Sequence, residues 1–217
     1  LITPFHEDLS IDFESLTRLI DYNIDNGTNF LVVMGTTAEA ATLSKEEKEK
    51  VIAHITKINN NRLPLVLGIG GNNTAEVVSQ IKETDLSDFE AVLSVSPYYN
   101  KPNQEGLYQH YKALAETGEK IIIYNVPGRT GQNVEAATTL RLANEFPNLF
   151  MIKEAAPNML QYFDILRQKP EHFSLMSGDD EYTLPVTLAG GDGVISVIGQ
   201  AYPKEFSTMV ELARKRE

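Results

Sequence analysis

The sequence predicts an α/β protein of the (β/α)₈ TIM-barrel type, with residues 1–217 forming a single barrel domain. Two observations carry this expectation. Short β-branched apolar runs alternate with amphipathic helical segments along the chain, and polar, reactive residues collect where the apolar runs end. Alternation of this kind implies parallel strands covered by helices, and a barrel builds its site at the carboxyl ends of its strands. At 217 residues and 42% hydrophobic content, the chain can bury a sizeable core.

Taken in order, LITPF (1–5) reads as the end of a first strand that is clipped at Leu1. A helix over 15–26 follows and stops before Gly27, a usual stop signal. FLVVMG (30–35) is the second strand, and Ser44 with Glu47 forms a capping box that opens a helix over 44–58. PLVLGIG (64–70), AVLSVSP (91–97), KIIIYNVP (120–127), LFMIKEA (149–155), FSLMSGDD (173–180) and GVISVIG (193–199) supply six more strands. Helical spacing marks 74–85, 104–117 and 134–146 between them. The resulting count of eight strand–helix units favours a closed barrel, with an open doubly wound sheet as the alternative, because periodicity does not establish closure. GIGGN (68–72) offers G-x-G but has Asn73 where a dinucleotide loop needs its third glycine, so it reads as a tight strand-to-helix turn.

Composition excludes several classes of function. The net charge is −11 and the only basic run is the terminal RKRE, which argues against nucleic acid. No apolar run approaches the roughly 20 residues of a membrane span, and no signal segment is evident, so a cytoplasmic location is expected. Cysteine is absent, which removes thiolate nucleophiles and cysteine zinc sites. His6, His54, His110 and His172 are scattered, so no metal is expected, and Asp179-Asp180 after Ser-Gly reads as a turn or helix cap. The glycine-rich AGGDGVISVIG (189–199) resembles a phosphate loop but lacks a nearby cation. No cofactor is called for.

The chemistry gathers at the strand ends: Thr36-Thr37, Ser96-Pro97-Tyr98-Tyr99, Tyr124-Asn125, Lys153-Glu154 and Ser177-Gly178-Asp179-Asp180. Any one of these polar residues is explained by solvent at a strand end; their convergence on one rim is not. Lys153 ends an apolar run, and lysine is almost never buried unless paired. Glu154 is its neighbour, but consecutive strand side chains point to opposite faces. A half-buried lysine suits amine attack on a ketone, because desolvation lowers its pKa from about 10.4 and favours the neutral form. Tyr124 on the adjacent strand suits acid/base work, and the Thr36 and Thr37 hydroxyls suit a carboxylate.

The motifs GTTAE (35–39), SPYYNKP (96–102), YNVPGRTG (124–131), KEA (153–155), SGDD (177–180) and GVISV (193–197) closely resemble the dihydrodipicolinate synthase family. That family lies in the pyruvate-dependent class I aldolase superfamily, and the match runs in order through essentially the whole chain. The resemblance implies a (β/α)₈ barrel, a homotetramer built as a dimer of dimers, and condensation of pyruvate with L-aspartate 4-semialdehyde in diaminopimelate and lysine biosynthesis. It implies that Lys153 forms the Schiff base, that Tyr124 is the general acid/base, and that Thr36 relays protons between Tyr124 and Tyr99, which reaches across the dimer interface. Thr37 would bind the pyruvate carboxylate, Arg129 the carboxylate of the aldehyde, and Gly178 and Ile195 would shape the pocket through their backbones.

Two departures are visible. Ala38 stands where many members have glycine, a change that is tolerated if its φ is negative. The family also continues into a C-terminal helical region, whereas this chain stops after Arg216-Glu217. Asn72, Glu76 and Tyr98 match the family's inhibitory L-lysine site, but Lys45 and Lys48 add cations beside it, so weak or absent inhibition is expected. Arg129 distinguishes the chain from the sialate lyases and favours a small acidic aldehyde. The alternatives are another pyruvate-dependent aldolase, such as a 2-keto-3-deoxy sugar acid or N-acetylneuraminate lyase, and a non-catalytic barrel.

Overall fold

Seven short strands form one parallel sheet in which each strand pairs with the next in sequence: β1 (Leu31–Val33), β2 (Leu65–Gly68), β3 (Ala91–Val95), β4 (Ile121–Asn125), β5 (Leu149–Glu154), β6 (Ser174–Ser177) and β7 (Gly193–Val194). The computed structural model describes residues 1–217. The helices are α1 (Phe13–Asp25), α2 (Lys45–Asn59), α3 (Thr74–Glu83), α4 (Gln104–Ala115), the single turn α5 (Pro127–Thr130), α6 (Ala136–Glu145), α7 (Met159–Gln168), α8 (Thr183–Leu188) and α9 (Pro203–Lys215).

Local chemistry fixes the helix starts. The Asp12 carboxylate accepts from Ser15 N at 2.8 Å, so α1 begins two residues before the expected position. Ser44 and Glu47 form the capping box in both directions. Asn73, Asn103 and Asn158 cap α3, α4 and α7. The glycines of GIGGN serve close packing: a Cβ on Gly68 would lie 2.2 Å from the Met34 carbonyl oxygen, and one on Gly70 would lie 2.8 Å from Val95 Cγ1. This, with Asn73 capping α3, is the strand-to-helix turn expected there.

The expected first strand does not form a ladder. Leu1 N donates to Val32 O at 2.9 Å and Thr3 Oγ1 to Ala38 O at 2.8 Å, while Phe5 pairs only with Ile11 in an isolated antiparallel bridge. Pro4 has no N–H to extend a ladder, so the sheet has seven strands where eight were expected. The sheet curls. Leu31 and Val32 of β1 and Gly193 and Val194 of β7 line opposite sides of one cleft of about 950 Å³.

The core is divided by the sheet. A 32-residue cluster, including Leu16, Ile55, Ile81, Leu107, Ile121, Ile123, Leu149 and Ile152, fills the layer between strands and helices. A 7-residue cluster of Val66, Ala91, Leu93, Ile122, Tyr124, Val126 and Ala155 fills the inner face. In β4 the two faces alternate without a break. In β5 they do not: the register with β4 runs Ile121↔Leu149 and then Ile122↔Met151, a bulge at Phe150. Leu149 and Ile152 therefore both face outward, Phe150 and Met151 both pack on the inner cluster, and the alternation resumes with Lys153 on the inner face.

Gly68→Ala is expected to lower stability in urea unfolding by about 1–3 kcal/mol, because the clash is with backbone and cannot be relieved by a rotamer change. A loss near zero would show that β1 and β2 are less tightly apposed than this geometry requires.

Candidate active site

Lys153 and Tyr124 are direct partners in the β4–β5 ladder. Both are buried, at 8% and 6% exposure, and Lys153 Nζ lies 4.3 Å from the centroid of the Tyr124 ring. Burial lowers the Lys153 pKa to about 8, with Arg129 acting in the same direction and Asp179 and Asp180 opposing. Burial raises that of Tyr124, partly offset by the nearby Thr36 hydroxyl and by the charge of Arg129. The result is an amine that loses its proton near physiological pH beside a phenol that keeps its own.

The surrounding residues come from the other strand ends. Thr36 and Thr37 lie in a 3₁₀ turn that follows β1, Thr36 exposed and Thr37 half-buried. Ala38 closes that turn without a positive φ; the left-handed residue is Glu39 at φ 55°. The backbone condition set for Ala38 is therefore met. Gly178 N donates to Glu154 O at 2.6 Å, and a Cβ there would lie 2.6 Å from Ala155 Cβ, so only glycine fits. Ile195 is buried and its N–H donates to Ser177 O at 2.9 Å. Arg129, in α5, is exposed above the pair.

Other expected residues stand apart from Lys153. Tyr99 is 88% exposed on a left-handed backbone, outside the buried pair. Tyr98 and Glu76 are exposed, and Asn72 is half-buried, its carbonyl accepting from Asn100 Nδ2 at 2.9 Å.

Asp179 and Asp180 divide their roles. Ser177 Oγ donates to Asp179 O at 2.7 Å and accepts from Asp179 N at 3.3 Å, so this is the expected turn, but the Asp179 side chain caps no helix. Its carboxyl is raised by burial and by Glu181, and lowered by Lys153. The Asp180 carboxylate accepts from Ile198 N at 2.9 Å, Val197 N at 3.2 Å and Ser196 Oγ. It thus occupies the amides of the glycine-rich loop, where a phosphate would bind. No group of three or more His, Cys, Asp or Glu side chains is placed to hold a metal ion.

Sequence reading missed two features. One is the charge that Asp179 presents to Lys153. The other is Glu154, fully buried on the outer face and hydrogen-bonded to Asn125, Gln161 and the Ala156 N–H. The only signal for Glu154 was its place beside Lys153 on a strand with no exposed face.

A desolvated amine against a phenol, on the rim of a parallel α/β sheet, is the equipment of an enzyme that attacks carbonyl groups through an amine. The chain belongs to the Dihydrodipicolinate synthetase family, which it matches over residues 1–216. It is 59% identical over 218 residues to the 4-hydroxy-tetrahydrodipicolinate synthase of Flavobacterium psychrophilum, covering 100% of this chain and 74% of that protein. Among solved structures, the chloride-inhibited dihydrodipicolinate synthase of Acinetobacter baumannii complexed with pyruvate is 41% identical, with a TM-score of 0.95 over 100% of this chain and 75% of that one. Dihydrodipicolinate synthase from Aquifex aeolicus is 41% identical, with a TM-score of 0.93 over 100% and 74%.

A lysine whose pKa is near 8 when folded, against about 10.4 when unfolded, lowers stability fully below pH 8, and the loss is relieved as pH rises between the two values. Lys153→Met is therefore expected to raise Tm at pH 7 by about 2–5 °C. The gain should shrink by pH 10. A lower Tm for the variant would mean that the amine is better compensated than its surroundings indicate.

Proposed function

We propose that the chain condenses pyruvate with L-aspartate 4-semialdehyde through an imine on Lys153, giving 4-hydroxy-tetrahydrodipicolinate for diaminopimelate and lysine biosynthesis. The observation that carries this reading is the buried Lys153 amine facing Tyr124, with a pKa lowered to about 8. Neutral Nζ adds to the ketone of pyruvate, the ketone oxygen leaves as water, and the cationic imine draws electrons from the methyl group. Loss of a methyl proton gives an enamine, whose carbon attacks the aldehyde while the aldehyde oxygen takes up a proton. The amine of the aldehyde substrate then replaces Lys153 on the imine carbon and frees the lysine.

Tyr124 moves these protons, with Thr36 as relay and Tyr99 of a neighbouring subunit at the end of the chain. Thr37 holds the pyruvate carboxylate, and Gly178 and Ile195 shape the pocket through their backbones. Arg129 meets the carboxylate of the aldehyde with a planar, bidentate donor pair. The reaction needs no cofactor.

The finer architecture follows the same reading. The cleft between β1 and β7 is lined by Leu31, Val32, Val194 and Phe206 among others, and Leu1 already bonds to Val32 on its wall. These features support a closed (β/α)₈ barrel. An aromatic as exposed as Tyr99 supports a homotetramer of two tight dimers, with the two subunits of each dimer completing each other's sites. No helix is long and apolar enough to cross a membrane, and a biosynthetic role for free metabolites fits the cytoplasm. Asn72, Glu76 and Tyr98 would form a weak L-lysine site, disfavoured by Lys45 and Lys48.

Borohydride added with pyruvate should reduce an adduct onto Lys153, detected by peptide mass spectrometry. Its rate of formation should rise with pH through about 8 as the ammonium loses its proton. A folded, assembled protein that gives no adduct would overturn the imine mechanism. Arg129→Ala should raise the aldehyde KM by roughly 10- to 100-fold and leave pyruvate adduct formation intact; unchanged kinetics with the aldehyde would remove Arg129 from the site.

A further inference from the structure

Glu154 has no part in the chemistry above, has no exposed surface, and is not a spectator of packing. Its Oε1 accepts from Asn125 Nδ2 at 2.8 Å and from Ala156 N at 2.7 Å; its Oε2 accepts from Gln161 Nε2 at 2.8 Å and from Asn125 Nδ2 at 3.0 Å. Every partner is a neutral N–H donor, so the surroundings fit an ionised carboxylate and offer nothing for its proton to donate to. Burial nonetheless pushes its pKa up to about 7, and the charge of Asp179 acts in the same direction. Holding a charge in the layer between sheet and helices is costly, and an apolar side chain would fill that layer without the cost.

What the carboxylate joins explains its presence. Asn125 and Glu154 are partners in the β4–β5 ladder one step beyond Tyr124 and Lys153. The outward pair is thus hydrogen-bonded side chain to side chain directly behind the inward pair. Asn125 Oδ1 also accepts from Val134 N at 2.9 Å, Asn125 Nδ2 donates to Asn133 Oδ1 at 2.8 Å, and Asn133 Nδ2 donates to Gln161 Oε1 at 2.8 Å. The network therefore ties β4, β5, α7 and the far end of the loop that carries Arg129. The main chain of Glu154 takes part as well, its carbonyl accepting from Gly178 N and from the Tyr162 hydroxyl.

We propose that Glu154 is a positioning residue for the Lys153–Tyr124 pair: its outward carboxylate clamps the ends of β4 and β5, and so fixes the approach of the amine to the carbonyl and of the phenol to the migrating protons. The proposal rests on the imine reading. It requires that loosening the clamp slow the chemistry more than it weakens pyruvate binding, since the groups that hold the pyruvate carboxylate lie on other elements.

Glu154→Gln keeps the shape and sets an NH₂ group against the donors of Asn125 and Gln161. In time-resolved borohydride trapping with pyruvate, the limiting rate of adduct formation should fall about 10- to 100-fold, with the pyruvate concentration dependence held within about twofold. Combining Glu154→Gln with Asn125→Asp restores a donor facing an acceptor and should recover most of the rate. An unchanged trapping rate in a cooperatively folded Glu154→Gln protein, or a rise in KM alone, would overturn the proposal. If Glu154→Gln fails to fold, Gln161→Leu removes one donor from α7, away from the substrate; it should give a smaller fall with the same split, and an unaltered rate there would also overturn it. A wild-type protein that traps no pyruvate would instead sink the imine reading, a result separable from any effect of the variants.

Discussion

Because side chains alternate along a strand, the direction of a terminal residue is set by the parity of everything before it. In β4 that parity is regular, with Ile121 and Ile123 toward the helices and Ile122 and Tyr124 toward the inner face. Strict alternation from Leu149 along β5 would turn Ile152 inward and send Lys153 into the helical layer. The bulge at Phe150 inserts one residue and reverses this. Lys153 then faces Tyr124, and Glu154 faces Asn125 and Gln161. One irregular residue, three positions from the amine, decides that the cation lines the rim and the carboxylate the layer behind it.

That placement defines the electrostatics. The pKa of the amine is lowered mainly by loss of water, not by neighbouring cations, and two carboxylates resist the effect. They resist unequally in kind. Asp180 is held by two backbone amides and a serine hydroxyl, so its charge is fixed in place and largely spent on local hydrogen bonds. Asp179 makes no such bonds with its side chain and shares the partly buried space with Lys153. A folded pKa near 8 for the lysine is therefore a balance between a desolvated wall and two acidic neighbours, of which Asp179 is the stronger.

Much of this was legible from the residues. The alternation of apolar runs and helices located all seven observed strands, and the cap at Ser44 and the tight glycine turn at 68–72 follow from local rules that tertiary structure does not override. Lys153 and Tyr124 were identifiable because a lysine on an apolar strand has few structural uses. The bulge was not legible, since Phe150 and Met151 differ little in pattern from any other apolar pair. The outer network was hidden for a related reason. Asn125, Asn133, Glu154 and Gln161 lie on four different segments, and each alone reads as an ordinary polar residue at the end of an element. The absence of a ladder at residues 1–5 also escaped pattern, because LITPF has strand composition while Pro4 and the bridge from Phe5 to Ile11 limit what it can pair with.

The sequential order of the sheet bears on how the molecule assembles. Each strand pairs only with its successor, so every ladder closes a loop of a few tens of residues and the sheet can grow as the chain is made. The bond from Ile2 N to the Gln200 side chain, 2.6 Å long and spanning 198 residues, and that from Asn23 to Gln200 O are of a different kind. With the bond from the Tyr22 hydroxyl to Ala201 O, they cross the β1–β7 seam and close the longest loops in the structure. Topology of this sort puts the entropically cheap closures along the sheet and the costly ones at the seam, where Gln200 is the latch.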